Sequence, residues 1–306
     1  MRPQRKAFHR MVTLTRCLLL AIWCAWLPAA ETVQHPFRGV TYIERVETAP
    51  RALRMHVVKI DLATPGIAFK LSPPGGTLET VRQTTLEFLL QEHAQVAINA
   101  HYFLPWPSSS PEASLVGFAA SNGTVYSAFE APEQSYALTP YAPALNIDAE
   151  NRPSIVHRDP ADASGTRTLE TVKVWNAVSG SAQIVTDGVK TIPEYAPLGV
   201  LQPGGPNAYS NTKSWYAQTN ARSAIGLSRD GATLVLFTVD ARGGSAGMAV
   251  GEVADVLLQD YGVYQALNLD GGGSTTLAID GAIVNVSSDN PKGRSVGSSL
   301  AVFAAR

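Results

Sequence analysis

One stretch of the chain places a carboxylate directly before three consecutive glycines: Ala266-Leu-Asn-Leu-Asp-Gly-Gly-Gly-Ser-Thr-Thr-Leu-Ala-Ile279. The apolar residues before Asp270 are typical of a buried strand, and the residues after Ser274 begin a hairpin that turns at Asp280-Gly281. Glycine tolerates positive φ and lets a ligand approach the backbone closely. Successive bare N–H groups can also form an anion-binding nest. We interpret this bend as functional, and a plain flexible turn is the alternative.

Hydrophobic periodicity outward from this bend predicts many strands and two helices. The apolar residues of 249–261 recur at helical spacing, and Gly262 is placed as the C-cap of that helix. This pattern indicates an α+β fold with a mixed β-sheet core and few helices. Segments 149–168 and 193–221 are rich in Pro, Asn, Gly and Ser, and are predicted to be surface excursions or lids. The predicted strands cover 39–61 (two strands), 67–71, 96–98, 115–120, 124–129, 172–178, 222–227, 233–240, 266–270, 275–279, 282–286 and 299–303, and the predicted helices cover 80–93 and 249–261.

Composition excludes several classes of protein. The chain has 306 residues, of which 16% are charged and 45% hydrophobic, which argues against intrinsic disorder. The formal net charge is −1, but the first 30 residues hold five basic residues and no acidic one. The rest of the chain is therefore mildly acidic, which argues against a nucleic-acid partner.

The N-terminal segment has the order of a secretory signal peptide. A basic stretch from Arg2 to Arg16 precedes an apolar run over 17–27 and the small residues Ala29 and Ala30. We expect cleavage near Ala30 and export to the periplasm or outside the cell, with an uncleaved anchor as the alternative. Both cysteines of the chain lie in this segment, so cysteine nucleophiles and disulfides are excluded from the body.

We predict three segments: a signal peptide over 1–30, N-terminal strands and a helix over 31–94 that pack on the next unit, and a single catalytic domain over 95–306. No other apolar run is long enough to span a membrane, so the mature chain is expected to have no stable membrane span.

Two further features were weighed as catalytic signals. Gly243-Gly-Ser-Ala-Gly247 fits the G-x-S-x-G pattern of a nucleophile elbow, but no histidine follows it, so Ser245 is interpreted as a cap or ligand contact. His101 follows a predicted buried strand and either reaches a cleft or belongs to the core. The histidines lack metal-ligand spacing and no nucleotide motif is present. No cofactor is therefore predicted, and a metal requirement stays open.

Charged residues near the ends of predicted strands and at a helix start complete the set of chemical candidates. Glu252 lies in the first turn of its helix, where the helix dipole favours a carboxylate, so a solvated surface residue is the plain reading. The planar guanidinium group of arginine can bind phosphate oxygens with two parallel hydrogen bonds. The simpler interpretation for each arginine is an ion pair at the surface. These residues are Arg222, Asp240, Arg242, Glu252 and Arg294.

The order of these motifs from about residue 95 to the C-terminus resembles the phosphodiester glycosidase family, whose bacterial members are often exopolysaccharide-associated. His101 and Ala241 stand where family members usually have glycine, and Ser223 replaces a common threonine. The stretches that carry the resemblance are Asn99-Ala-His-Tyr-Phe103, Asn176-Ala-Val-Ser-Gly180 with Asp187-Gly188, Arg222-Ser-Ala-Ile-Gly226, Asp240-x-Arg242, Glu252, Asn268-Leu-Asp-Gly-Gly-Gly-Ser-Thr-Thr276, Asn285 and Arg294-Ser-Val-Gly-Ser-Ser299.

The resemblance implies a hydrolase that cleaves a sugar-1-phosphodiester, of the GlcNAc-1-phosphodiester type, at the anomeric C–O bond in envelope or extracellular glycans. It implies Asp270 and Glu252 as carboxylates near C1, with Asp240 as a third candidate; which one acts as base or nucleophile stays open. The residues expected to bind substrate or phosphate are Arg222, Arg294, Gly271, Gly272, Gly273, Ser274, Asn99, Asn285, Arg242 and His101.

Two other functions stay open at this point. A non-catalytic envelope module that binds anionic glycan would use the same cleft without turnover. A metal-dependent phosphodiesterase is less well supported, because the metal-ligand spacing is missing.

Overall fold

The computed structural model describes residues 30–130, 139–193, 215–286 and 290–306. The expected signal segment up to residue 29, and most of the predicted excursion over 193–221, lie outside these described residues. Among the described residues no helix is both long and apolar enough to cross a membrane.

Short strands dominate the described part of the chain. Two α-helices, α1 (Thr85–Glu92) and α2 (Val250–Gln259), accompany them. The strands are β1 (Ala30–Phe37), β2 (Val40–Glu47), β3 (Leu53–Asp61), β4 (Ala68–Leu71), β5 (Thr80–Val81), β6 (Gln83–Thr84), β7 (Val96–Asn99), β8 (Phe103–Leu104), β9 (Glu112–Leu115), β10 (Ala119–Ser121), β11 (Thr124–Ser127), β12 (Ala144–Ile147), β13 (Pro153–Val156), β14 (Asn176–Ser179), β15 (Ala182–Thr186), β16 (Val189–Lys190), β17 (Arg222–Ser228), β18 (Thr233–Val239), β19 (Val263–Asn268), β20 (Leu277–Ile279), β21 (Ala282–Ile283), β22 (Ser295–Val296) and β23 (Ser299–Phe303).

Three larger sheets organise these strands. The first has the order β1-β2-β3-β18-β17-β19-β15-β16, the second β21-β20-β7-β23-β4, and the third β11-β10-β14-β12-β13. The predicted α+β class with few helices is confirmed. The expectation of mixed strand directions is wrong, because every pair among these strands of the three sheets runs antiparallel, as in β3 with β18 and β17 with β19.

The first and second sheets pack face to face around the main core, which includes Leu236 of β18 and Ile98 of β7. Helix α2 covers the other face of the first sheet, where Phe237 packs with Val253, and helix α1 covers the outer face of the second sheet with Phe88. Adjacent residues of β18 thus enter opposite cores, as the two-residue period of a strand requires. Each such buried apolar side chain contributes about 1.5–3 kcal/mol.

Local sequence explains where the helices begin. Thr84 and Glu87 form a reciprocal capping box at the start of α1, so this helix begins later than the predicted residue 80, and residues 80–84 form two short strands instead. Helix α2 lies within the predicted 249–261, but its C-cap is Asp260 rather than Gly262.

The predicted hairpin after the glycine bend is present. Asp280 and Gly281 both have positive φ, of 50° and 80°, as a tight two-residue turn requires. The turn joins β20 to β21, with Ile279 opposite Ala282.

Several further strands lie where no strand was predicted: β1, β8, β12, β13, β15, β16 and β22. Strand β1 precedes the first predicted strand and pairs along β2 at the edge of the first sheet. Strand β13 lies within the predicted excursion 149–168 and pairs with β12. Its first residue, Pro153, lacks a backbone N–H and is tolerated only at the edge of a sheet or at the start of a strand. Because proline argues against a strand, the sequence pattern did not predict β13.

Candidate active site

The glycine bend lies at the end of β19, and its backbone packs too closely for side chains. A Cβ atom on Gly271 would lie 2.9 Å from the carbonyl oxygen of Ala221, and one on Gly272 would lie 3.2 Å from the Trp215 ring. Gly272 also has a φ of +60°, which side chains rarely adopt. The bend therefore needs glycine for its backbone path and for the approach of Trp215.

Asp270 is the carboxylate at this bend, and its side chain is almost completely buried. Burial raises the pKa of Asp270 to about 7, and the Ser274 hydroxyl, the Arg294 charge and the Gly271 N–H oppose part of that increase. A carboxyl group with this pKa exchanges its proton near neutral pH. It can therefore act as an acid or a base there.

Arg294 and Ser274 stand beside Asp270. The Nη1 of Arg294 donates to the Ser274 hydroxyl at 3.3 Å, and the guanidinium lies 4.0 Å from the centre of the Trp106 ring. Trp106 is 43% exposed, so this side of the cluster faces solvent. The arrangement places a positive charge between the buried carboxyl and an accessible aromatic surface.

Tyr102 and Trp215 also belong to this cluster, and sequence reasoning missed them both. Trp215 donates its indole N–H to the Tyr102 hydroxyl at 2.9 Å. Burial, and then the negative charge of Asp270, raise the pKa of Tyr102, whereas Arg222 lowers it. Tyr102 therefore keeps its phenolic proton and can donate it beside Asp270.

Arg222 reaches the cluster, but most of its guanidinium is already engaged. Its Nε donates to the Met248 carbonyl at 3.0 Å, and its Nη2 donates to the carbonyls of Trp215 and Gln218. The side chain is fully buried, and burial lowers the pKa of Arg222 to about 10. The Nη1 atom is buried without a hydrogen-bond partner among the described residues, so one nitrogen, rather than the expected fork, is left for a ligand.

The glycine amides form no empty anion nest. The Gly271 N–H hydrogen-bonds to the carboxylate of Asp270, and the Gly272 N–H donates to the Ala221 carbonyl at 2.8 Å. Protein acceptors therefore already engage the Gly271 and Gly272 amides that the sequence assigned to substrate or phosphate. Gly273 is half-buried in the same turn.

Asn99 and Asn285 support the bend from below and do not face a sugar. The Nδ2 of Asn99 donates to the Asp270 carbonyl at 2.6 Å, and its Oδ1 accepts from Ser223 and from the Thr276 N–H. Asn285 accepts from the Leu277 N–H and donates to the Thr275 carbonyl. Both side-chain amides are buried and engaged by protein groups, whereas the sequence assigned them to substrate or phosphate binding.

Asp240 lies in a buried network rather than at the bend. Its Oδ1 accepts from Asn285 Nδ2 at 3.2 Å and from the Val286 N–H at 3.0 Å, and its Oδ2 lies 3.3 Å from His56 Nε2. The residue is completely buried. Asp240 therefore lies outside the Asp270 cluster, and its place near C1 stays a prediction.

Glu252 and Arg242 do not join the Asp270 cluster. One oxygen of Glu252 accepts from the Ala249 N–H and from Arg51 Nη2, both at 2.7 Å, so this residue caps α2 and forms an ion pair. Its carboxylate is therefore directed to the start of α2. The resemblance had implied a place near C1 for this carboxylate. Arg242 lies exposed on the turn after β18.

His101 and Ser245 have structural contacts. His101 is fully buried, with Nδ1 2.8 Å from the Ser298 hydroxyl and Nε2 accepting from the Ser179 N–H at 2.9 Å. Burial lowers the pKa of His101 to about 4, so it is a neutral core residue rather than a substrate ligand. Ser245 donates to the Asp240 carbonyl at 2.6 Å, which ties the turn together.

The Asp270 cluster lies within a region of the chain that matches a known protein family. The model of the phosphodiester glycosidase family matches residues 92–303. The chain belongs to the phosphodiester glycosidase family. The family is one of enzymes, as the motif order predicted, and the matched residues include the complete Asp270 cluster.

Curated relatives support the family assignment over a short stretch of the chain. The human N-acetylglucosamine-1-phosphodiester α-N-acetylglucosaminidase is 42% identical over 71 residues, which cover 23% of this chain and 13% of the human protein. The match thus spans much less than two thirds of that relative's length.

Solved structures share the fold of this chain. A hypothetical protein from Synechocystis has a TM-score of 0.63 at 16% identity, over 90% of this chain and 64% of that one. The catalytic domain of zebrafish N-acetylglucosamine-1-phosphodiester α-N-acetylglucosaminidase, auto-inhibited by pro-peptide, has a TM-score of 0.55 at 17% identity, over 91% of this chain and 88% of that one. At these identities the likeness concerns the fold alone.

The described residues contain no cluster of three or more His, Cys, Asp or Glu side chains that could hold a metal ion. The ionisable groups of the Asp270 cluster are one carboxyl group, two guanidinium groups and one phenol.

Proposed function

We propose that this protein hydrolyses a sugar-1-phosphodiester at the anomeric C–O bond. The observation that carries the proposal is Asp270, a nearly buried carboxyl group whose pKa is raised to about 7 beside Arg294 and Ser274. The human relative, an N-acetylglucosamine-1-phosphodiester α-N-acetylglucosaminidase by name, supports N-acetylglucosamine as the sugar. The substrate is proposed to belong to envelope or extracellular glycans.

The single carboxyl group of the cluster suits this substrate class. An ordinary glycoside has a poor leaving group and usually needs a second carboxylic acid to protonate it. A phosphate ester leaves as a stable anion, so this acid is not required. The carboxylates of Glu252 and Asp240 are held by other partners, and Asp270 alone serves the described site.

The proposed reaction consumes one water molecule. The C1–O bond breaks, and its oxygen leaves with the phosphoryl group as a phosphate monoester. The water oxygen bonds to C1, and Asp270 in its ionised form accepts the proton that the water loses. The products are the free sugar and the monoester, and no atom changes its oxidation state.

Three donors of the cluster are proposed to bind the phosphoryl oxygens. Arg294 supplies charge at the open side, Arg222 supplies its remaining Nη1 from below, and Tyr102 supplies its retained proton. Arginine N–H groups bound to phosphate oxygens are charge-assisted and stronger than neutral hydrogen bonds. Such donors stabilise the negative charge that grows on the leaving group.

Hydrolysis of methyl N-acetylglucosamine-1-phosphate in water enriched in heavy oxygen tests the proposal. Cleavage at C1–O gives methyl phosphate without heavy oxygen, which phosphorus NMR resolves from the labelled form. Labelled methyl phosphate or sugar-1-phosphate would show P–O cleavage instead and would overturn the proposal. Binding without turnover would favour the non-catalytic glycan module, and inhibition by a chelator would favour a metal-dependent phosphodiesterase.

We also propose that the protein is exported to the periplasm or outside the cell. The basic stretch, the apolar run over 17–27 and Ala29-Ala30 support this proposal. Fractionation of a native host, with mass determination of the mature N-terminus, tests it. An intact Met1 in the cytoplasmic fraction would contradict it.

A further inference from the structure

A chain of buried polar side chains runs from the first sheet to the glycine bend. The Tyr42 hydroxyl lies 2.8 Å from His56 Nδ1, and His56 Nε2 lies 3.3 Å from Asp240 Oδ2. Asn285 Nδ2 lies 3.2 Å from Asp240 Oδ1. All four residues are buried, with exposed fractions of 7% or less. We call this set, Tyr42, His56, Asp240 and Asn285, the relay.

The chemistry of each group fixes the direction of the hydrogen bonds. A carboxylate only accepts, so the His56 Nε2–H and the Asn285 amide must both donate to Asp240. When the imidazole carries a single N–H and directs it to Asp240, Nδ1 accepts from the Tyr42 hydroxyl. Burial raises the pKa of Tyr42, in agreement with a phenol that keeps its proton.

The relay ends on the backbone of the bend. Asn285 donates its other amide hydrogen to the Thr275 carbonyl at 3.1 Å and accepts from the Leu277 N–H at 2.7 Å. Thr275 directly follows Ser274, which hydrogen-bonds to Asp270. A displacement of Asn285 would therefore move the segment that holds the catalytic carboxyl group.

The side chain of His56 comes from outside the residues that the family model matches. It lies on β3, between Glu44 of β2 and Thr238 of β18 in the sheet register. Without the imidazole, Asp240 would keep a buried charge with one oxygen unpaired. Removing one partner of a buried charge costs more than the hydrogen bond itself contributes.

We infer that His56 and Asp240 are positioning residues, which act through Asn285 to hold the glycine bend in its catalytic geometry. The inference rests on the proposed function, because positioning is measured here by turnover. Neither side chain touches the Asp270 cluster directly. A misplacement of about 1 Å can reduce turnover about a hundredfold, so a partial loss of the relay is expected to have a measurable effect.

The test compares His56→Leu, which removes the donor, with His56→Gln, whose amide can still donate to Asp240. The matched control is Thr238→Val, an isosteric change opposite His56 at a buried hydroxyl without a partner among the described residues. We expect His56→Leu to lower kcat at least about tenfold with KM nearly unchanged. We expect His56→Gln and Thr238→Val to stay within about threefold of the parent.

The pH profile of kcat/KM separates positioning from a merely structural role. Ser274, Arg294 and the Gly271 N–H stabilise ionised Asp270, and Tyr102 lies close enough for the charge of Asp270 to raise its pKa. If the bend moves, this support weakens and the ascending limb shifts to higher pH in His56→Leu but not in Thr238→Val. A folded His56→Leu protein with parental kcat and an unshifted limb would overturn the inference.

Two further measurements keep the inference testable. Should His56→Leu not fold, Tyr42→Phe removes only the outer hydroxyl and is expected to shift the limb in the same direction by less. Should the parent hydrolyse no sugar-1-phosphodiester, the proposed function fails, and amide hydrogen exchange tests the relay alone. Faster exchange at Leu277 and Val286 in His56→Leu than in Thr238→Val supports the relay, and equal exchange rejects it.

Discussion

The side-chain amide of Asn99 donates to the backbone carbonyl of Asp270 at 2.6 Å. The Asp270 N–H in turn donates to the Ala100 carbonyl at 3.0 Å. Asn99 ends β7 in the second sheet, whereas Asp270 follows β19 of the first. The carboxyl group is thus fixed where the two sheets of the sandwich meet, on rigid elements rather than on a loop tip. Catalytic groups held in this way keep their geometry with little loss of entropy during the reaction.

Asp270→Asn is expected to lower kcat at least about a hundredfold, because an amide cannot accept the proton from water. The fold should persist, since the backbone contacts of residue 270 to Asn99 and Ala100 remain. Steady-state kinetics and thermal unfolding measure the two effects. Asp280→Asn, at the exposed hairpin turn, is the matched control and should keep parental activity. Parental turnover in Asp270→Asn would remove this residue from the mechanism.

Ser274→Ala is expected to shift the ascending limb of the kcat/KM profile to higher pH. The hydroxyl stabilises ionised Asp270 and so lowers its pKa, which burial sets at about 7. Without the hydroxyl that pKa rises, and less of the active carboxylate is present below the limb. The decrease in kcat/KM of Ser274→Ala should be largest at acidic pH and smallest at pH values above the shifted limb. Ser295→Ala, at an exposed neighbour, should leave the profile unchanged, and an unshifted limb in Ser274→Ala would contradict the assignment.

The sequence predicted the parts of the fold that depend on local signals. The hairpin turn at Asp280-Gly281 and helix α2 each follow from consecutive residues. The order of strands in the sheets does not, since β3 pairs with β18, more than 150 positions further along the chain. Nothing local indicates which distant strand lies beside β3, because many strands have equivalent apolar patterns.

The same limit applies to the site. Asp270 was predicted because three glycines mark its bend, whereas Tyr102 and Trp215 carry no comparable local mark. Tyr102 lies within the quoted stretch that begins at Asn99, and this was the one signal that pointed to it. Asn99 was assigned to the sugar, because an amide suits a sugar hydroxyl and a backbone carbonyl equally well. Only its burial and its contact with Asp270 separate these two uses.

His101→Gln is expected to make stability less sensitive to acid. The pKa of His101 is lowered by burial from 6.5 to about 4, so the unfolded chain takes up this proton first as the pH falls. The contribution of the neutral imidazole is therefore complete above pH 6.5 and is lost as the pH falls towards 4. Denaturant unfolding at several pH values measures how steeply the free energy of unfolding changes with pH. The control is His157→Gln, at an exposed position. An equal slope in His101→Gln and the parent would reject this explanation.

Glu252→Gln is expected to keep kcat within about twofold, because Glu252 serves the start of α2 and not the sugar. Glutamine can still accept the hydrogen bond from the Ala249 N–H, and the lost ion pair with Arg51 is partly exposed and is worth about 1 kcal/mol or less. Steady-state kinetics of Glu252→Gln, measured in parallel with Asp270→Asn, tests this expected kcat. A loss in Glu252→Gln as large as that in Asp270→Asn would restore Glu252 as a catalytic carboxylate.

Gly272→Ala is expected to destabilise the protein and to reduce turnover together. Its φ of +60° is strained for alanine, and the added Cβ would lie 3.2 Å from the Trp215 ring that contacts Tyr102. Gly251→Ala is the matched control: this glycine lies in α2 with an ordinary 3.9 Å contact to Ile192, and alanine there should stabilise by about 0.5–1 kcal/mol. Chemical denaturation and kcat measure both variants. A Gly272→Ala protein with parental stability and turnover would show that the bend tolerates a side chain and that its close packing against Trp215 is not needed for catalysis.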